Sequence, residues 1–119
     1  MGEFDSQEAL TLPEVRSEVD LMLLHLNEAI FALSGNDVRV TRSQFKQFFD
    51  HWDAAEEQLS RLYPERYEAL ELELERAQNA LLGQFPEDLD GARFALRALR
   101  AGLLEIDHDL EAQLEQSSG

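Results

Sequence analysis

The sequence contains no cysteine, and this absence excludes several kinds of site at once. Without thiols the chain can form no disulfide, no zinc site with thiolate ligands and no cysteine nucleophile. It also lacks any run of 18 or more apolar residues, since its densest apolar stretch, Leu21–Leu26, is interrupted by His25. The chain as given is therefore expected to fold in water rather than across a bilayer.

Basic residues are scarce. Only 10 residues are Lys or Arg, and Lys46 is the single lysine, whereas 25 are Asp or Glu, for a formal net charge of −15. Phosphate affinity comes from clustered Lys and Arg, so nucleic-acid binding and attraction to an anionic membrane are both disfavoured. Because 44% of the residues are hydrophobic, the charge belongs to a folded protein. A cationic partner, a metal ion and simple solubility all remain as explanations for the charge.

The length of 119 residues supports a single domain. No basic segment followed by an apolar stretch opens the chain, so no signal peptide is expected within it. Residues 1–10 and 116–119 are predicted to be flexible or linker-derived ends, and residues 11–115 the folded domain.

Four segments show the three- and four-residue apolar spacing of amphipathic helices. The first is expected to begin at the capping-box pattern Thr11–Glu14 and to end at Gly35–Asn36. A second capping-box pattern, Thr41–Gln44, predicts the start of the second helix, which Tyr63–Pro64 should end. The apolar stripe of the second helix is rich in aromatic residues and is interpreted as core: Phe45, Phe48, Phe49, Trp52, Leu59 and Leu62.

Pro64 is well placed to open the third helix, and Gly83 to end it. Phe85–Asp88 is predicted to connect this helix to a fourth, whose apolar positions run from Leu89 to Leu114. No segment shows the alternating pattern of a strand. Four long helices with short connections predict an all-α, up-down-up-down four-helix bundle.

Several enzyme classes lack their motifs. The sequence has no glycine-rich phosphate loop, no nucleophile elbow and no His-Glu-x-x-His. A phosphotransfer bundle needs a histidine followed closely by Lys and Gly, which none of His25, His51 and His108 has. The chain is therefore expected to be non-catalytic.

A dinuclear carboxylate site needs Glu-x-x-His on two helices and an inward Glu on the other two. Glu105 and His108 have that spacing once, and the stripe set by Leu103, Ile106 and Leu110 places them beside the core rather than inside it. They remain additional candidates for a surface site that binds iron or another hard cation. A carboxylate-bridged metalloprotein is kept as an alternative.

The second and third helices each place a glutamate one turn after a large aromatic residue: Glu56 after Trp52, and Glu71 after Tyr67. Both carboxylates are expected at or just inside the core boundary. Buried carboxylates need a hydrogen bond, an ion pair or a metal. One alternative is a hydrogen bond to the Tyr67 hydroxyl, the Trp52 ring N–H or Arg66. The other is that Glu56 and Glu71 form a carboxylate pair that binds metal.

Two further patterns bear on partners. Regularly spaced carboxylates in the third and fourth helices favour an acidic interaction module for a basic protein, such as a nucleic-acid mimic: Glu68, Glu71 and Glu75, then Asp107, Glu111 and Glu115. The first helix is apolar almost all round between Leu21 and Phe31, which indicates either a deep core position or the face of a homodimer.

The residues from Phe45 to Leu99 resemble a family. The pattern places Trp and Glu one turn apart, then Pro, then Tyr with an apolar-Glu pair a turn later, and Pro86 and Ala95–Leu99 also fit. Its positions here are Phe45, Trp52, Glu56, Leu59, Pro64, Tyr67, Leu70, Glu71, Leu74, Ala77, Ala80 and Leu81. This segment is similar to the helical extracytoplasmic domain of bacterial iron permeases related to the fungal high-affinity iron permease.

The resemblance implies a periplasmic, permease-associated domain that binds or concentrates iron through its acidic surface, or docks an oxidase or a periplasmic iron carrier, beside the membrane part. Glu56 and Glu71 would then be its metal residues. The family's membrane helices, with their Arg-Glu-x-x-Glu iron motifs, have no counterpart here, and Arg66–Glu71 does not match that motif. Transport itself is therefore not implied for this chain.

Overall fold

A computed structural model describes residues 10–83 and 88–118. Within these ranges it contains no strand and four helices: α1 (Leu12–Ser34), α2 (Val38–Leu62), α3 (Pro64–Leu82) and α4 (Leu89–Ser118). Residues 1–9 of the predicted terminal segment 1–10 and most of the predicted connection Phe85–Asp88 lie outside the described residues, as does Pro86 of the family pattern.

The helices form a ring in chain order. Each packs against the next, and α4 returns to contact α1, whereas no Cα atoms of the diagonal pairs α1/α3 and α2/α4 come within 8 Å of each other in the described residues. α1 and α4 run antiparallel, because Arg16 near the start of α1 bonds Asp107 late in α4, and Asn27 later in α1 bonds Arg100 earlier in α4. The predicted all-α four-helix bundle is confirmed. The α1–α2 pair is the most closely packed, and α2–α3 the least.

The capping box at the start of α1 is confirmed. The Thr11 backbone N–H donates to Glu14 Oε1 at 2.9 Å, and the Glu14 backbone N–H donates to Thr11 Oγ1 at 3.3 Å. Helix α1 ends at Ser34 as expected, but Asn36 rather than Gly35 takes the left-handed conformation, with φ of 61°. Asparagine tolerates this region because its short polar side chain hydrogen-bonds locally.

The predicted start of α2 at Thr41 is wrong by one turn. The Asp37 side chain caps the helix by accepting from the Val40 backbone N–H at 3.1 Å, and helical residues begin at Val38. Thr41 is buried, and its hydroxyl donates back to the Asp37 carbonyl at 2.8 Å. A lone aspartate is a weaker sequence signal than the pattern Thr-x-x-Gln, although it caps equally well.

The predicted apolar stripes supply the core. Trp52, Phe45 and Phe48 are among its largest fully buried side chains. Phe49 and Tyr67 are only half-buried, and Leu62 is exposed. Tyr63 alone separates α2 from α3, because Pro64 disfavours helical geometry in the residue before it and opens the next helix.

Gly102 marks the close approach of α4 to α3. A Cβ atom at this position would lie 2.8 Å from Leu70 Cδ2. We expect Gly102→Val to lower the free energy of unfolding by about 1–3 kcal/mol, because it overpacks this contact. The measurement is urea unfolding followed by circular dichroism.

Ala101→Val is the matched control, since Ala101 is the exposed neighbour of Gly102 on the same helix. In a double variant with Leu70→Ala, the loss should be smaller than the sum of the two single losses. Strict additivity would contradict the proposed contact.

Candidate functional site

A cleft of about 580 Å³ runs between α2 and α3. We call it the α2/α3 cleft. Its walls carry five carboxylates and no basic side chain, together with apolar groups; the lining residues are Phe49, Trp52, Asp53, Glu56, Glu68, Glu71, Leu72, Leu74, Glu75 and Gln78. The cleft lies at the least closely packed of the four helix pairs.

The Tyr67 hydroxyl lies between the two glutamates singled out from the sequence. Its oxygen is 2.8 Å from Glu56 Oε2 and 2.9 Å from Glu71 Oε2. The Tyr67 hydroxyl, predicted as a partner, is therefore within hydrogen-bond distance of both residues, and the structure brings Glu56 of α2 and Glu71 of α3 to the same group. Arg66, another partner considered for them, instead lies 3.5 Å from Glu105.

The phenol has one proton to donate, and ionised carboxylates only accept. Two carboxylates thus compete for a single donor. The group formed by Tyr67, Glu56 and Glu71 contains no positively charged side chain. Burial, followed by the hydrogen bonds to Glu56 and Glu71, raises the pKa of Tyr67 above its ordinary value. The phenol therefore stays protonated and keeps donating.

Trp52 fixes the ring of Tyr67. The two rings stack with centroids 5.4 Å apart and an interplanar angle of 6°, and Trp52 is 1% exposed. An almost fully buried indole holds the phenol in place without touching its hydroxyl, because it packs on the ring face. The Trp52–Glu56 and Tyr67–Glu71 spacing thus has a structural basis, because the two aromatic rings stack on each other and each precedes one of the two glutamates by one turn.

The burial expected for the two glutamates is correct only for one. Glu56 is half-buried, at the edge of the core, whereas Glu71 is exposed. Glu71 lines the α2/α3 cleft, and the loose packing of α2 against α3 leaves this side of α3 open to solvent. Sequence spacing gives the angular position of Glu71, but not how closely the neighbouring helix approaches.

Asp53 is a cleft residue that the sequence analysis missed. It lies three residues before Glu56 and therefore on the same side of α2, and it lines the cleft. Glu68 and Glu75, noted earlier as regularly spaced carboxylates, flank Glu71 on α3 and also line the cleft. Projecting Asp53 along the helix from Glu56 would have found it.

Glu105 and His108 lie away from the α2/α3 cleft. They border a separate, shallow depression on the α3/α4 side, together with Arg66, Asp109 and Ala112. Glu105 is exposed and paired with Arg66, so a positively charged guanidinium group already lies beside its carboxylate. The structure therefore does not bring Glu105 and His108 together with Glu56 and Glu71.

The described part of the chain contains no group of three or more His, Asp or Glu side chains arranged to hold a metal ion. Glu56 and Glu71 alone would leave a bound metal to complete its coordination with water or with groups from a ligand. This arrangement fits a hard cation that retains much of its hydration shell better than a dinuclear centre.

The acidic end of α4 is partly neutralised by an arginine of α1, although no Lys or Arg follows Arg100 in the sequence. Arg16 of α1 lies 3.3 Å from Asp107 and 3.8 Å from Glu111. The Tyr63 hydroxyl donates to Asp109 at 2.5 Å, which lowers the pKa of that carboxyl. Asp107 and Glu111 thus have a basic partner, whereas no basic side chain lines the α2/α3 cleft.

Both tyrosines of the chain, Tyr63 and Tyr67, have raised pKa values, mainly because of burial and then because of their carboxylate partners. Because the pKa of each phenol is higher in the folded than in the unfolded chain, the protonated phenols stabilise the fold at neutral pH. This contribution to the free energy of unfolding is lost as the pH rises beyond about 10. We therefore expect tyrosinate absorbance to appear at a higher pH in the folded chain than in the chain unfolded in urea.

Tyr63→Phe leaves Tyr67 as the only tyrosine and assigns the signal to it. Tyrosinate absorbance near pH 10 with intact helical dichroism would show that the Tyr67 hydroxyl is not held between the carboxylates.

Comparison with family models, with curated proteins and with solved structures found no match for this chain. Among the residues that the structure describes, no helix is long and apolar enough to cross a membrane.

Proposed function

We propose that this chain is a non-catalytic helical domain that binds a hard cation, iron in its biological setting, at the α2/α3 cleft. The observation that carries the proposal is the placement of Glu56 and Glu71 around one phenolic hydroxyl, in a cleft with five carboxylates and no base. A cation entering between the two carboxylates would supply the positive charge that Tyr67 alone cannot provide.

The iron setting and the extracytoplasmic location rest on the resemblance of residues 45–99 to permease-associated domains. The half-buried Glu56 would hold the ion against the aromatic stack, and the exposed Glu71 would close over it from α3. With only two protein ligands, binding would be weak and reversible. Such behaviour suits a domain that concentrates iron beside a permease or passes it to a carrier.

Titration of the chain with Fe²⁺ under anaerobic conditions, and with Mn²⁺ as a surrogate, tests this proposal. We expect binding heat and a rise in melting temperature, both reduced in Glu56→Gln and in Glu71→Gln. Removing either carboxylate should weaken binding by roughly 10-fold or more, as loss of a group that supports a metal does.

Glu65→Gln is the matched control, because Glu65 is an exposed glutamate of α3 outside the cleft lining. It removes the same charge and should leave the affinity unchanged. The absence of binding heat and of a shift in melting temperature with either metal would refute cation binding. If all three variants weakened binding equally, the metal would be attracted by the overall negative charge and not bound at the cleft, which would also contradict the proposal.

The size and lining of the cleft favour a second candidate, an acidic module that binds a basic protein. A bare ion does not fill about 580 Å³, and Leu72 (51% exposed) and the half-buried Phe49 offer apolar contact to a larger group. A helix or loop presenting Arg or Lys beside an apolar side chain would match both features.

A peptide of alternating Arg and Leu residues distinguishes the two candidates. If the cleft accepts basic segments, peptide affinity should fall at least 10-fold between about 0.05 and 0.2 M salt, because exposed charges are screened over these concentrations. Leu72→Ser should weaken peptide binding and leave metal binding unchanged. Equal peptide affinity in the wild type and in Leu72→Ser would count against the basic-partner candidate.

A further inference from the structure

A second surface lies on the opposite side of the ring from the α2/α3 cleft. On α1, Leu24, Asn27 and Phe31 follow one another at spacings of three and four residues, and on α4 Arg93, Arg97, Arg100 and Leu104 do the same. Hydrogen bonds join the two stripes, from Arg100 to Asn27 Oδ1 at 3.3 Å and from Arg93 to Asn36 Oδ1 at 3.2 Å. We call this surface the α1/α4 face.

The middle of the α1/α4 face carries little negative charge, although Asp90 pairs with Arg93 at one end, and Asp20, Asp107 and Glu111 surround Arg16 where α1 meets α4 at the other. Residues 91–104 contain three arginines and no Asp or Glu, although the whole chain has 25 acidic residues. Residues 21–36 of α1 contain a single acid, Glu28. Like-charge repulsion between two copies of this protein is therefore smallest where these two segments face outward.

The same face exposes large apolar side chains. Phe31 is 77% exposed, Leu24 50% and Leu104 41%. On α4, Arg97 and Arg100 are exposed as well. Several large apolar side chains exposed among polar ones on one face are characteristic of protein interfaces.

We propose that the α1/α4 face is the interface of a homodimer whose two-fold axis runs parallel to the helices. Such an axis places α1 of one copy over α4 of the other and keeps every residue at its own level along the bundle. Asn27 marks the level of Arg100, and α1 and α4 are antiparallel. Glu28 therefore comes opposite Arg97 and Arg100 of the other copy, and Leu24 opposite Leu104.

This symmetry makes the face self-complementary. Each copy supplies one carboxylate to the arginine stripe of the other, and the apolar residues of both copies are covered together. Phe31 comes to the level of Arg97, where a guanidinium can stack on its ring. An anionic surface would instead repel Glu28 and the net charge of −15, so a second copy is the better occupant.

Sedimentation equilibrium at about 0.15 M salt, where the Debye length is about 8 Å, tests the proposal. The wild type should dimerise in a concentration-dependent manner. Glu28→Arg and Arg97→Glu, made singly, should each raise the dimer dissociation constant at least about 10-fold, because each puts like charges opposite one another. The double variant Glu28→Arg/Arg97→Glu should restore dimerisation.

Phe31→Ser should also weaken the dimer, whereas Leu72→Ser in the α2/α3 cleft should not. Circular dichroism confirms that each variant is folded, as expected for changes to exposed side chains. A wild type that stays monomeric up to about 1 mM would overturn the proposal. A dimer that tolerates the single reversals, or that the double reversal does not rescue, would equally overturn this interface.

Discussion

The one-residue junction between α2 and α3 is the constraint on which the candidate site depends. Pro64 has no backbone N–H to offer and forces Tyr63 out of helical geometry, so α2 must end and α3 must begin within a single step. The Tyr63 hydroxyl then ties this corner to α4 through Asp109. Helices α2 and α3 are fixed at this end and are the least closely packed of the four neighbouring helix pairs. The α2/α3 cleft opens between them.

The aromatic residues of the cleft connect stability to the site. Trp52 belongs to the core, yet its ring also stacks on Tyr67, whose hydroxyl meets Glu56 and Glu71. A half-buried carboxylate normally costs stability unless it is hydrogen-bonded. Here the hydrogen bond is made, but one donor serves two acceptors. The fold thus tolerates a local deficit of positive charge, and this deficit is the basis of the proposed cation binding.

The distribution of charge explains why two different surfaces emerge from one acidic bundle. Carboxylates on α4 that face α1 or the α2–α3 corner have partners, such as Arg16 for Asp107 and Tyr63 for Asp109. Those in the α2/α3 cleft have no basic partner among the residues that line it. The arginines of residues 93–100 lie on the opposite side of the bundle, within a segment, residues 91–104, that contains no Asp or Glu.

The sequence by itself determined the helices, their apolar stripes and the pairing of an aromatic residue with a glutamate on α2 and on α3, because helical periodicity and capping are local properties. The start of α2 was misplaced, because the capping residue Asp37 is less conspicuous in the sequence than the Thr-x-x-Gln pattern that begins at Thr41. Only the tertiary structure decided that Glu71 is exposed and that one hydroxyl meets both glutamates. It also placed Glu105 and His108 on a different side from the cleft. These features depend on how closely non-adjacent segments approach, which the spacing of residues along one helix does not encode.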